Sequence, residues 1–220
     1  MSRYVVRPME VDDIDAVSEV ERECFSTPWP SSAYRRELRD NRMGRYIVLV
    51  ELLNEVGNHG TPNEPPHESV NGVRRAVDQL LRPFGRIAAP VAPLNERILG
   101  FAGMWLMLDE AHITTLGVKP TLRGQSFGEL LFATLLEIAI TVGARRATLE
   151  VRVSNFSAQA LYRKYSFREE GVRRRYYSDN NEDALIMWSE RLAAPEFLDL
   201  YRAARVGLDR RLNELVDVKV

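Results

Sequence analysis

Two short stretches hold the residue types needed to move protons around a nucleophilic attack. In Leu149-Glu150-Val151-Arg152-Val153-Ser154-Asn155 a carboxylate sits among alternating apolar residues. In Ala158-Gln159-Ala160-Leu161-Tyr162-Arg163-Lys164-Tyr165-Ser166-Phe167 a phenol follows. A carboxylate can take a proton from an amine, and a phenol can give one to a leaving group. Alternation puts Leu149, Val151 and Val153 on one strand face and Glu150 and Arg152 on the other. Spacing alone leaves both roles open. A strand glutamate also suits solvent, and Tyr162 falls on an Ala158/Leu161/Tyr162/Tyr165 stripe that also suits a core.

A third stretch offers anion chemistry. Val118-Lys119-Pro120-Thr121-Leu122-Arg123-Gly124-Gln125-Ser126-Phe127-Gly128 joins a strand to a long helix. The first N–H groups of a helix lack intrahelical partners and point outward at its positive end, where a pyrophosphate can rest. Arg123 can add charge-assisted hydrogen bonds. A plain strand-to-helix turn fits the same residues, and neither G-x-G-x-x-G nor G-x-x-x-x-G-K-[ST] occurs. A fourth stretch, Arg173–Met187, is rich in tyrosine and acidic groups. It reads either as a decorated loop or as a lid over a polar substrate.

Other chemistries find little support. His59, His67 and His112 lack metal-ligand spacing, so no metal is expected, and no serine sits in a G-x-S-x-G elbow. Cys24 is the single cysteine, which excludes an intrachain disulfide and fits a reducing compartment. With 30 Lys and Arg against 31 Asp and Glu, the formal net charge is −1, so no global field recruits nucleic acid or an acidic membrane. The start, Met1-Ser2-Arg3-Tyr4-Val5-Val6-Arg7, lacks the apolar core of a signal peptide, and no run of about 18 apolar residues occurs. The cytoplasm is the expected location.

The elements that must position these residues follow from periodicity. Tyr4–Arg7 reads as a strand, ended by Pro8. Val11, Ile14, Val17, Val20 and Phe25 make one helical face, and a second helix runs from Ser31 or Ser32 through Leu38. Tyr46–Leu53 is a strand. Asn54–Asn95 reads as an insertion, partly disordered, with one short helix at Val73–Leu81 and a loop at Pro83–Pro93. Strands follow at Arg97–Leu108 and His112–Val118. The next helix shows Leu130, Leu131, Thr134, Leu135, Ile138, Ala139 and Val142 on one face, with Gly143 as its stop. Then come a strand at Ala147–Val153, a helix at Ala158–Tyr165, and a hairpin of Gly171–Tyr177 with Ala184–Trp188. Pro195–Leu215 is a last amphipathic helix, which either covers an apolar patch or mediates self-association. The fold class is therefore α/β (α+β), a mixed sheet with helices on both faces. Residues 1–192 form the domain, with the insertion at 54–95, and 193–220 a helical extension.

Taken in order, Ile113-Thr114-Thr115-Leu116-Gly117-Val118-Lys119-Pro120, Arg123-Gly124-Gln125, Leu149–Asn155, Ala160-Leu161-Tyr162 and Arg175–Met187 resemble the GCN5-related N-acetyltransferase (GNAT) superfamily. Within it, the Leu-Glu-Val-Arg and Tyr-Tyr…Glu-Asp-Ala segments are similar to the bacterial ribosomal-protein alanine N-acetyltransferases. The resemblance covers roughly Tyr4–Leu53 and Arg97–Leu192. It implies the GNAT fold and acetyl-CoA as co-substrate. Leu116, Gly117 and Val118 would pair with the pantetheine arm. Arg123, Gly124, Gln125, Ser126, Phe127, Gly128 and Glu129 would hold the pyrophosphate, and Asn155 would touch the coenzyme near the thioester. Glu150 would be the general base and Tyr162 the general acid, the two facing each other across the thioester. A backbone N–H near Leu116–Val118 would stabilise the oxyanion. Phe25…Pro28-Trp29 resembles the first substrate loop, and Tyr176 and Tyr177 would contribute to the second.

The acceptor implied is a protein or peptide α-amino terminus, such as that of a ribosomal protein. A lysine side chain, polyamine or other small amine is the alternative, and a non-catalytic coenzyme A-binding module is a third. Two positions depart from the family pattern. Ser126 stands where glycine is usual and serves there if its φ is negative; Ser166, before Phe167, concerns helix termination.

Overall fold

The computed structural model describes residues 3–52 and 96–215. The insertion expected at Asn54–Asn95, with its short helix, lies outside these residues. Among them are seven strands and five helices: β1 (Arg3–Pro8), α1 (Ile14–Cys24), α2 (Ser31–Asp40), β2 (Gly44–Leu52), β3 (Glu96–Met107), β4 (Glu110–Val118), α3 (Phe127–Thr141), β5 (Arg146–Arg152), α4 (Phe156–Lys164), β6 (Arg168–Tyr177), β7 (Glu182–Trp188) and α5 (Pro195–Leu215). Single 3-10 turns at Val11–Asp13 and Pro120–Leu122 lead into α1 and toward α3. The expected first helix thus loses a turn at its start. Phe25 leaves it in an extended conformation.

One sheet carries the strands in the order β1-β2-β3-β4-β5-β7-β6. Every neighbouring pair is antiparallel except β4 with β5. The apolar run Ile47-Val48-Leu49-Val50 is fully buried because both sheet faces are covered. Ile47 and Leu49 join the core under α3, α4 and α5, while Val48 and Val50 join the core under α1 and α2. Period-2 alternation within a wholly apolar run therefore splits one strand between two cores.

Helix α3 departs from the single apolar face expected of it. Phe127, Leu130, Leu131, Phe132, Ala133, Leu135, Leu136, Ile138 and Ala139 are all buried. The sheet covers one side and α5 another. Phe197, Tyr201 and Leu208 of α5 are buried in the same core, and the Tyr201 hydroxyl donates to the Ala133 carbonyl at 3.1 Å. Of the two readings of the final helix, it covers an apolar patch of its own chain.

Candidate active site

β4 and β5 pair only from Glu110–Ile113 to Arg146–Leu149. Beyond that, β4 stays with β3 while β5 pairs with β7, so the two strands part. The cause is local. The β3–β4 register shifts between Gly103 and Met104, leaving Thr114 as the extra residue, and a bulge bends the strand that carries it. The edge of Thr114–Val118 that faces β5 has no ladder partner among the described residues. Such an edge can pair with an extended amide chain. Leu116, Gly117 and Val118 lie on it. A Cβ at Gly117 would stand 3.0 Å from the Phe101 ring and 3.3 Å from Cys24 Sγ, so glycine lets α1 and β3 close on β4 there.

The turn that follows leads into α3. Gly124 has φ 79° and Ser126 φ 63°. The condition set for Ser126, a negative φ, is not met: the residue is left-handed, in the region that favours glycine, at a cost of roughly 1 kcal/mol for an L-residue. The buried Phe127 ring packs on Tyr4 at 4.8 Å and anchors the start of the helix. No side chain caps α3, and the N–H groups of its first turn have no intrahelical acceptor. Around a Cβ at Gly124 there is open space to 4 Å, and at Gly128 only ordinary contacts with Leu116 and Val118. At these two glycines the described chain leaves room for close approach to the backbone. Glu129, in that first turn, is ringed by Lys164, by the Tyr165 hydroxyl at 3.0 Å and by Arg211 at 2.9 Å.

Glu150 stands on β5 beside the parting, its side chain only 8% exposed. One oxygen meets His112 Nε2 at 2.7 Å and the other Arg173 at 3.1 Å. Burial alone would raise its pKa, but the His112 hydrogen bond and charge, with the Arg173 guanidinium, outweigh it and hold the carboxyl below its ordinary value. The group is ionised at neutral pH and faces away from α3–α5.

Tyr162, on α4, is buried with its ring 4.9 Å from that of Phe132. Its hydroxyl makes no hydrogen bond among the described residues. Burial, with a smaller push from Tyr177, raises its pKa well above the usual range for tyrosine, so it holds its proton. Tyr162 shares its core with Leu149 and Val151, whereas Glu150 points to the opposite face of β5. The expected face-to-face arrangement on one side of the sheet is corrected. The two can approach one group only through the gap where β4 leaves β5. Tyr177 lies within electrostatic reach of both.

The residues expected to border the acceptor fall on two segments, the α1–α2 loop and the end of β6. Trp29 donates its backbone N–H to Glu21 at 3.1 Å, and its half-buried ring lies 5.6 Å from that of Tyr34. Tyr176 is 45% exposed, with its ring 5.2 Å from that of Tyr177. The Arg152 guanidinium stacks on Tyr177 at 3.8 Å and binds Asp179 at 2.8 Å and Glu182 at 3.1 Å. Burial pushes the Tyr177 hydroxyl up to about 12, against the Arg152 charge. Hydrogen bonds from Ser154, then Asn180 and Arg152, hold Glu182 down at about 2. Ser26, between α1 and α2, donates to Asp179 in the β6–β7 turn. The hairpin is thereby tied both to the end of β5 and to the first loop, which favours the lid reading.

Asn155 serves a purpose the sequence did not suggest: its Oδ1 caps α4 by accepting the Ala158 N–H at 3.1 Å. Ser166 is left-handed at φ 59°, and Phe167 N–H closes on the Tyr162 carbonyl at 3.1 Å, so this position does end the helix. Sequence reasoning missed His112, Arg173, Ser26 and Arg211. Each comes from a distant element, and only His112 left a local signal, its alternation onto the face shared with Glu150.

Comparison with known proteins bears on these residues. A family model described as "Acetyltransferase (GNAT) family" matches residues 62–167. A Bacillus subtilis relative, provisionally named a ribosomal protein bS18-alanine N-acetyltransferase, is 35% identical over 187 residues, 85% of this chain and 95% of its own. Among solved structures, the ribosomal-protein-S18-alanine N-acetyltransferase from Escherichia coli superposes with TM-score 0.61 at 22% identity, over 88% of this chain and 97% of that one. A chain of the NatC complex bound to Gag peptide and CoA gives 0.58 at 16% identity, over 86% and 98%. The last two share the fold.

Proposed function

The chain belongs to the GNAT acetyltransferase family and is an N-acetyltransferase; from that premise we propose that it carries the acetyl group of acetyl-CoA to the α-amino terminus of a protein. The acceptor named for its Bacillus relative, the alanine terminus of ribosomal protein bS18, is the first candidate. The observation that carries this reading is the gap between β4 and β5, with ionised Glu150 on one face and protonated Tyr162 on the other. In this reading residues 1–192 are the catalytic domain, the insertion at 54–95 interrupts it, and the enzyme works in the cytoplasm.

The residues present fit the coenzyme. The unpaired edge at Leu116, Gly117 and Val118 offers hydrogen bonds to amide groups of the pantetheine arm. The turn Arg123–Glu129 offers the open first turn of α3 to the pyrophosphate. Asn155, with Oδ1 engaged, has its amide N–H groups left to donate. Acetyl-CoA supplies an activated carbonyl.

An α-amino group has a pKa near ~8 and arrives mostly protonated. Glu150 takes that proton, directly or through water, while His112 and Arg173 keep the carboxylate in place. The amine nitrogen then bonds to the acetyl carbon as the carbon–sulfur bond breaks. Tyr162 donates its proton to the departing sulfur from the other face, and the second proton shed by the new amide nitrogen passes through water to restore the phenol. Trp29, Tyr176 and Tyr177 would border the acceptor, and the tie between Ser26 and Asp179 narrows the approach. A narrow approach suits a chain terminus, which enters end-on.

The test uses purified protein, acetyl-CoA and paired peptides. One begins with a free alanine; the other has a blocked terminus and an internal lysine. Mass spectrometry should find acetyl groups on the first alone. Modification confined to the lysine, or to a polyamine offered in the same assay, would transfer the activity to a side-chain or small amine. Tight acetyl-CoA binding without any product would leave a non-catalytic module.

A further inference from the structure

Arg211 lies near the end of α5, far in sequence from the turn that starts α3, yet its guanidinium reaches that turn. Nε donates to Ser126 Oγ at 3.3 Å and Nη2 meets Glu129 at 2.9 Å. Nη1 has no hydrogen-bond partner among the described residues, and the side chain is 41% exposed. That nitrogen passes Gly207, one helical turn back, where a Cβ would make only ordinary contact with it at 3.6 Å. α5 cannot drift, since Tyr201 and Leu208 fix it in the core under α3.

The charges around this point are unusual for an anion site. Glu129 puts a carboxylate, only 12% exposed, in the first turn of the helix, which the helix dipole tolerates but an incoming phosphate does not. Lys164 and Arg211 both bind it, so the cluster keeps one positive charge in excess. Arg211 alone among these also touches the left-handed Ser126, the residue that opens α3.

We propose that Arg211 binds a phosphate of the coenzyme, so that the final helix completes the cofactor site. This rests on the acetyl-CoA reading of the Arg123–Glu129 turn. A guanidinium standing beside the first turn of a helix, with Nη1 left to donate, suits an oxyanion with several acceptor oxygens. It also gives α5 a task beyond covering α3.

Calorimetry on the intact protein tests this with three ligands: coenzyme A, 3′-dephospho-coenzyme A and pantetheine. Arg211→Ala should weaken coenzyme A binding by about 10-fold, the loss of one charge-assisted contact, with Arg211→Lys between the two. Pantetheine affinity and the melting temperature should not change. An equal loss for both phosphorylated ligands places the contact at the pyrophosphate. A loss for coenzyme A alone places it at the 3′-phosphate. Wild-type affinity in Arg211→Ala overturns the proposal while leaving the acetyl-CoA reading intact. A loss that extends equally to pantetheine also overturns it, since the helix then acts only through the shape of the site. Failure of the wild-type protein to bind coenzyme A removes both.

Discussion

Glu150 and Tyr162 stand on opposite faces of β5, one held between His112 and Arg173, the other packed on Phe132. Strand alternation turns Glu150 away from Leu149 and Val151, and the packing of α4 puts Tyr162 on their side. The parting of β4 from β5 supplies the passage between them. It also separates an ionised acceptor of protons from a donor that keeps its own, a pairing that acid–base chemistry needs.

Replacing Glu150 by glutamine keeps the shape and the His112 contact but removes the proton acceptor. Turnover on a free-alanine peptide should fall about 10²–10⁴-fold with little change in the KM for acetyl-CoA. Steady-state kinetics checks this, with circular dichroism to confirm the fold. Unchanged turnover would take Glu150 out of the chemistry.

Arg173→Gln removes a cation from Glu150 but leaves His112 in place. The folded-state pKa of Glu150 is depressed, so activity is present above it and is lost as pH falls through it. Without Arg173 that pKa rises toward the ordinary carboxylate value, and the acid limb of the pH–rate profile should move to higher pH. The part of the stability owed to this ion pair follows the same sign: present above the unfolded carboxylate range, lost as pH falls through the depressed value. An acid limb that moved to lower pH would contradict the assignment.

Tyr162→Phe removes a hydroxyl that no described residue uses for a hydrogen bond, so stability should hold within about 1 kcal/mol. Turnover should drop by at least about 10², because the sulfur then leaves without a proton. Denaturant melts and kinetics on the same preparation separate the two effects. A stability loss with normal turnover would make Tyr162 a core residue and nothing more.

Ser126→Gly relieves a left-handed serine and should add about 1 kcal/mol to unfolding stability, read from urea melts. It also frees Arg211 from the Ser126 hydroxyl.

Leu208 of α5 is fully buried. Truncation to alanine should cost about 2–5 kcal/mol. A cost below about 1 kcal/mol would mean that α5 detaches from α3 in solution.

By itself the sequence determined the order and kind of every described strand and α-helix, through periodicity in most and through apolar runs bounded by turns in the rest, but not the 3-10 turns at Val11–Asp13 and Pro120–Leu122. Pro195–Leu215 matches its helix residue for residue. Alternation also put Glu150 on the face away from Leu149 and Val151. Contacts across distant elements were decided only in three dimensions. Arg173 at Glu150, Ser26 at Asp179 and Arg211 at Ser126 join residues whose separation along the chain leaves no periodic trace, and alternation gave His112 a face but not its partner Glu150. The same holds for the sign of φ at Ser126 and for the side of the sheet on which Tyr162 rests. A residue's local preferences fix its own backbone well before they fix its neighbours. Which side chains meet depends on how the sheet splays and which helix packs over it.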